Sequence, residues 1–487
     1  MFMKIFSNRL FALTFSLFFL PTSALMAADI GWTSKAVVKL FTTQQSWSTN
    51  QPWSKNRAAQ GTCSGFFIKQ GILTSAHCAT DATYMEVEIP GVPDKVEVHL
   101  VAINHQIDLA LLKLDDSAAR FAAKPITFGA LPSVRDKVVT VGYPEGGRQV
   151  SFTEGVVSRI DVMRYVHSNI PAPLVQTDAP INPGNSGGPV LSDMTGDCIG
   201  IATQKSTSGE GLGYFIPTPI INQFLKDIKD GHVDGIPSLG VFFQTLENPA
   251  SREYLKMHPG QSGLRVRSIA HNSSTDGILK KNDVLLNIAG HDILNDGRVP
   301  FQDDGRIWLG YYVSTKQVGD MLKLKILRDG KVKNLNIKLK PLHLTLIPQQ
   351  PQYDHQMSYF VSGGLLFIAV EPRYFWNWGR HWANNLPTSL KSYIGTLYGT
   401  DNLEQLVVIS EVFDASVNKG YSGEIENIRV TEVDGKEIRK LSDVKEAMEK
   451  NTKDYHMIKL VGGVQVLLDS KLVKKENKII RQRYGIR

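Results

Sequence analysis

The chain has little cysteine: only Cys63, Cys78 and Cys198 among 487 residues. No C-x-x-C pair or Cys/His cluster appears, so no metal site is expected. No apolar run after the first 20 or so residues reaches the roughly 20 needed to cross a bilayer, so no stable membrane span is expected beyond the start. The G-x-x-x-x-G-K-[ST] phosphate loop is also missing, which argues against ATP hydrolysis. Positive charge is thin. Lys and Arg exceed Asp and Glu by only seven, too mild a surplus to imply a nucleic-acid partner. The densest basic stretch, 471–487, is interrupted by Leu472, Val473, Ile479 and Ile480. We read it as a solvated strand and tail.

What is present begins with an export signal. Lys4 and Arg9 precede the apolar "LFALTFSLFFL" (10–20), and small residues follow, offering cleavage after Ala27 or Ala28. Residues 1–27 are therefore expected to leave, placing the mature protein outside the cytoplasm. Hydrophobic residues at 42% and charged residues at 21% are ordinary for a globular protein. The length allows about two to four domains.

Residues 35–220 carry short apolar, β-branched runs between Gly and Pro signals. Examples are "AVVKLF", "SGFFI", "GILTSA", "LALLKL", "KVVTVGY", "GVVSRI", "CIGIAT" and "GYFIPT". This spacing predicts an all-β barrel or sandwich, closed by a helix over 219–231. Two further units follow, separated by the Gln/Pro linker "PQQPQ" (348–352). The fragments "LNIAGHDI" and "TEVDGKEI" share a strand–Gly–strand pattern, suggesting that these units repeat one module. A helix is expected over 442–451 with Ser442 as its N-cap.

In "INPGNSGGPV" (181–190) a single hydroxyl, Ser186, stands among turn-forming residues. A nucleophile on a strained loop, flanked by free backbone N–H groups, is one reading; a bland surface turn is the other. His77 in "GILTSAHC" and Asp108 in "IDLALLKL" supply a base and its orienting acid. Together with "GNSGGPV", these segments resemble the catalytic signatures of trypsin-like serine proteases, in the order His, Asp, Ser. The resemblance implies a His77–Asp108–Ser186 triad. It also implies an oxyanion hole from the Gly184 and Ser186 N–H groups, with Asn185 shaping the turn.

Two departures refine the resemblance. Neutral Asn185 stands where digestive enzymes carry an activating acid. Pro180 lies at the pocket base, so no carboxylate receives a Lys or Arg. Cleavage is expected after small or medium apolar residues, with Tyr214, Phe215 and Ile216 lining the pocket. "TDAPINPGNSGGPV" and the trailing units are similar to the HtrA/Deg (Do-like) proteases. "NDGRVPFQDDGRI", "PSLGV" and "SYFVSGG" point to the plant-type Deg subgroup, whose last PDZ domain is atypical.

The family implies a mainly β fold: a double six-stranded β-barrel protease domain (28–234) followed by two PDZ-like α+β domains (235–345 and 346–487). It implies no cofactor, ATP-independent degradation of misfolded exported proteins, homo-oligomers and loop-controlled activity. The Gram-negative periplasm is the expected compartment. Leu239, Gly240 and Val241 are the candidate loop for peptide C-termini, and "GGLLF" (363–367) is its counterpart in the last unit; a plain strand entered through glycine is the alternative for both. Segments 161–174 and 204–213 are expected to be mobile loops. Trypsin-like enzymes often bridge the places held by Cys63 and Cys78, although the Do-like family usually does not. We expect that bridge here, with Cys198 a free buried thiol. A chaperone that holds clients, or a protease of narrow client range, remains the alternative.

Overall fold

The computed structural model describes residues 28–205, 212–303, 305–421 and 423–486. The proposed leader and most of segment 204–213 lie outside these residues.

Alternating and continuous β-branched runs build two closed barrels. The first contains β1 (Val37–Gln44), β2 (Ala59–Ile68), β3 (Gly71–Thr74), β4 (Ala82–Glu88), β5 (Val96–Asn104) and β6 (Leu109–Leu114), in the order β1-β2-β3-β6-β5-β4. The second contains β7 (Lys137–Gly142), β8 (Ser151–Arg164), β9 (Pro171–Thr177), β10 (Pro189–Ser192), β11 (Cys198–Lys205) and β12 (Gly213–Pro217), in the order β10-β11-β12-β9-β8-β7. Closure removes the sheet edges that would otherwise invite aggregation. Phe66, Leu73, Val141 and Ile216 are fully buried in one core that joins the two barrels. Burying each such side chain contributes about 1.5–3 kcal/mol.

Segment 161–174 is not a loop. Its ends belong to β8 and β9, which pair from Asp161↔Leu174 to Arg164↔Pro171. The β-branched residues of "VVSRIDV" extend the strand past the point where polar residues suggested an end. Only the tip, around residues 165–170, turns.

The middle unit is a six-stranded sheet that includes Val241–Gln244, Leu264–Ile269, Val284–Ile288, Met321–Arg328 and Lys331–Lys338. Its core is continuous with that of the second barrel through Val157, Ile160, Val175 and Phe215. The extra hairpin Arg298–Phe301/Gly305–Trp308 leans on β8, where Arg298 pairs with Asp161 at 3.0 Å.

The last unit holds a three-stranded and a four-stranded sheet. Val284–Ile288 turns into His291–Asp292 through Ala289 and Gly290 (φ 51° and 93°), and Val430–Val433 turns into Lys436–Glu437 through Asp434 and Gly435 (φ 55° and 93°). The same two-residue, left-handed hairpin turn therefore occurs in both units.

Two expectations fail here. The C-terminal basic stretch is a helix, Ser470–Tyr484, not a strand, because Val473 and Ile480 lie seven residues apart and share one buried face. Helix Leu441–Lys450 starts before Ser442, and its end is capped by Asp443, which accepts the Arg439 and Lys440 N–H groups. A carboxylate reaching back suits the positive helix end.

Candidate active site

The antiparallel register Thr74↔Ala110 sets the end of β3 beside the start of β6. His77 sits in the single helical turn that follows β3, and Asp108 immediately precedes β6. Asp108 adopts a left-handed backbone, φ 54°, which a short polar side chain tolerates better than most. Its carboxylate accepts the His77 backbone N–H at 2.8 Å and lies 2.9 and 3.0 Å from His77 Nδ1. Thr203 Oγ1 donates to the same carboxylate in a short bond. Burial alone would raise the pKa of Asp108. The charge and hydrogen bond of His77, helped by Thr203, outweigh it and hold the acid at about 2. For His77, burial pulls the pKa down, but the Asp108 charge and hydrogen bond outweigh it, so the net shift is upward.

Ser186 is half-buried and its Oγ donates to the Thr203 carbonyl at 3.1 Å. Thr203 therefore touches both Ser186 and Asp108. Among the described residues no hydrogen bond joins Ser186 Oγ to the His77 ring.

The loop around Ser186 has a selective pattern. The N–H groups of Asn185, Gly187 and Gly188 donate to the carbonyls of Asn182, Ala202 and Asn185 at 3.0, 2.7 and 2.9 Å. Those of Gly184 and Ser186 find no acceptor among the described residues. The Pro183 carbonyl accepts the Glu145 N–H at 2.7 Å, so the trans peptide directs the Gly184 N–H the opposite way. Gly184 has φ 95°, and a Cβ there would lie 2.4 Å from the Tyr143 carbonyl oxygen. Only glycine fits such an approach.

Ser64 went unnoticed in the sequence. It is buried between the barrels, donating from Oγ to the Gly184 carbonyl at 2.7 Å and from its N–H to the Ser186 carbonyl at 2.8 Å. Its Oγ also accepts the Tyr143 N–H at 2.8 Å. The cue was its place in "CSGFFI", one residue past Cys63. Nothing in the sequence marked Thr203.

Cys63 and Cys78 are joined, with Sγ atoms 1.97 Å and Cα atoms 6.1 Å apart, tying β2 to the turn that carries His77. Among the described residues the donors close enough to share a metal ion are Cys63, His77 and Cys78, and both sulfurs are committed to the disulfide. Cys198 is free and buried, and burial pushes its thiol up to about 12.

Pro180 is exposed, and its carbonyl accepts from Thr153 at 3.0 Å. Phe215 and Ile216 are fully buried in core clusters, and only Tyr214 of that trio is partly exposed. A strand alternates its faces, so three successive residues cannot line one pocket. Leu239, Gly240 and Val241 border a groove of about 180 Å³ with Trp308, Leu309 and Val313. In the last unit the Gly363 N–H is taken by Asn477 at 2.7 Å, so helix Ser470–Tyr484 occupies the corresponding loop.

The trypsin-like peptidase domain family matches residues 63–201, and the PDZ domain family matches 347–487. "Protease Do-like 2, chloroplastic" of Arabidopsis thaliana is 34% identical over 93% of this chain and 74% of its own length. "Protease Do-like 4, mitochondrial" of the same plant is 33% identical over 87% of this chain and 78% of its own length. The chain belongs to the Do-like protease family. It is thus a serine endopeptidase of the HtrA type, with a trypsin-like barrel pair and a PDZ domain. Among bacterial Do-like relatives, the "Probable periplasmic serine endoprotease DegP-like" of Pseudomonas fluorescens is 28% identical over 64% of this chain and 61% of its own length. A solved HtrA-type protease with a decapeptide shares the fold at TM-score 0.50, with 23% identity over 64% of this chain and 96% of that one.

Proposed function

We propose that this Do-like protease cleaves misfolded or damaged proteins without ATP, using Ser186 as nucleophile, His77 as general base and Asp108 as its orienting acid. The observation that carries this reading is the pairing pattern of the serine loop. Alternate N–H groups are satisfied, and those without an acceptor among the described residues belong to Gly184 and Ser186. Two such donors, aimed where negative charge develops, stabilise the tetrahedral intermediate in a water-poor site. Ser186 attacks the scissile carbonyl as His77 takes its proton, and His77 then passes that proton to the leaving amine. Asp108 keeps Nδ1 protonated and balances the imidazolium.

The protease domain spans 28–234, with PDZ-like domains over 235–345 and 346–487. Leu239–Val241 border the groove proposed for peptide C-termini, entering by strand addition. Cleavage after small or medium apolar residues is proposed from the family resemblance, since Pro180 itself is exposed. The assembly is a homo-oligomer. The leader and the Cys63–Cys78 bridge support a compartment reached by export, more oxidising than the cytoplasm; the Gram-negative periplasm is one such place.

A regulated protease is the second reading, prompted by one bond: Ser186 Oγ donates to the Thr203 carbonyl, not to His77. Turnover then requires the hydroxyl to swing to the base. Casein cleavage by wild type and by Ser186→Ala, with and without peptides ending in apolar C-termini, tests both statements. Cleavage by Ser186→Ala would refute the nucleophile, and peptide-independent rates would refute the regulation.

A further inference from the structure

The linker to the last unit does not hang free. Tyr353 lies parallel to His167, with ring centroids 4.4 Å apart and planes 9° from each other. Its hydroxyl donates to the His167 carbonyl at 3.0 Å. Asp354 Oδ2 is 2.6 Å from His105 Nε2, and His105 Nδ1 is 2.9 Å from His167 Nε2. The His167 ring, on the turn between β8 and β9, stands 6.1 Å from the ring of His77. A continuous line therefore runs Asp354–His105–His167 and ends against the general base.

Proton positions along the line follow for a neutral His105 ring. A carboxylate only accepts, so His105 Nε2 carries the hydrogen, and in the neutral ring Nδ1 offers a lone pair. Opposite a neutral His105, His167 donates from Nε2 and its own Nδ1 is unprotonated. Linker and last unit are pinned as well. The Asp354 N–H donates to Asp81 Oδ1 at 3.0 Å, just past the turn that carries His77, and Asp81 N–H returns a short bond. Gln356 donates to the Pro52 carbonyl at 2.7 Å. Next to it, the Trp53 indole donates to the Tyr484 carbonyl at 2.9 Å, its ring 5.6 Å from that of Tyr359.

We propose that His167 is a positioning residue for His77, and that Tyr353 and Asp354 set its ring and tautomer, so that seating of the linker and the last unit controls turnover. The proposal rests on His77 being the general base. Among the described residues, His77, His105, Asp108, Asp354 and Tyr353 are the titratable groups that face His167. With the linker seated, burial holds His167 at about 4 against the pull of Asp108. A neutral ring then stands beside the imidazolium that forms on His77. With the linker lifted, water reaches His167, its pKa returns toward the ordinary value of about 6.5, and below neutral pH a second positive charge opposes that imidazolium.

The test uses the full chain and a short fluorogenic peptide, with kcat and KM measured at pH 6 and pH 8. We expect Asp354→Ala and Tyr353→Ala to lower kcat about twofold to thirtyfold at pH 6, the range that packed networks transmit. KM should stay within about twofold and the loss should shrink at pH 8, where His167 is neutral either way. Tyr353→Phe, which keeps the stack, should retain most of the rate. Trp53→Ala should behave like Tyr353→Ala. Asp354→Ala should add nothing in a His167→Ala background. Wild-type kcat in Asp354→Ala and Tyr353→Ala at pH 6, losses confined to KM, or losses that multiply with His167→Ala would overturn the proposal. Ser186→Ala separates the two readings. If it is inactive while Asp354→Ala matches wild type, the proposal alone fails; if it remains active, the assignment of His77 falls too.

Discussion

Asp108 holds His77 at two points, accepting its backbone N–H at 2.8 Å and its Nδ1 at 2.9 Å. Main chain and ring are thereby fixed by one buried carboxylate, which leaves Nε2 to face the substrate side. Asp108→Asn keeps the shape and loses the charge. We predict a fall in kcat of about 1,000- to 10,000-fold, with the fold unchanged by circular dichroism. Activity within tenfold of wild type would show that the acid does not orient the base.

The same pair sets the pH profile. His77 must be neutral to accept the Ser186 proton, and its pKa is raised because Asp108 outweighs the downward effect of burial. Activity is therefore lost as pH falls through a midpoint above about 6.5, the unperturbed histidine value. Residual activity of Asp108→Asn should show a lower midpoint, since burial then acts alone. A profile flat between pH 5 and 8, with assembly unchanged, would contradict this.

Gly187 tests the loop. A Cβ there would meet the Ser64 carbonyl oxygen at 2.2 Å and Thr74 Oγ1 at 2.3 Å, on a backbone with φ 83°. Gly187→Ala should shift the serine loop and cost about 100- to 1,000-fold in kcat, the loss typical of one oxyanion donor. The unfolding temperature should also fall, because the Ser64 oxygen is backbone and has to move, while the protein stays folded at the assay temperature. Unimpaired hydrolysis would mean that the free N–H groups do not act on the intermediate.

The bridge closes a loop between residues separated by 15 positions. Replacing Cys63 and Cys78 together by Ala should cost about 3 kcal/mol in the chain-entropy account. Alkylation of the denatured, unreduced protein should tag Cys198 alone. Tags on all three cysteines would show that the bridge is absent.

Much of the barrel pair was legible because its strands are β-branched runs set off by Gly and Pro, as in "SGFFI" and "KVVTVGY". β4 and β5 passed unread: "MEVE" and "VEVHL" carry the alternation of a half-buried strand but hold no continuous apolar run of the kind that marked the others. The tail helix was missed because Val473 and Ile480 are few among lysines, and only packing on the last unit makes them a face. His77, Asp108 and Ser186 stood out through their flanking residues. Ser64 and Thr203 did not, because their roles arise where two barrels meet, a juxtaposition that local sequence does not encode. The linker was equally silent, since Gln and Pro composition says nothing of where Tyr353 docks.

Active-site labelling tests the nucleophile most directly. Wild type treated with diisopropyl fluorophosphate should gain one adduct, on the peptide that holds Ser186, and lose casein cleavage in step with it. His77→Ala should label far more slowly, and Ser186→Ala should remain unlabelled and inactive yet folded. An adduct on another serine, or casein cleavage that survives in Ser186→Ala, would contradict the assignment.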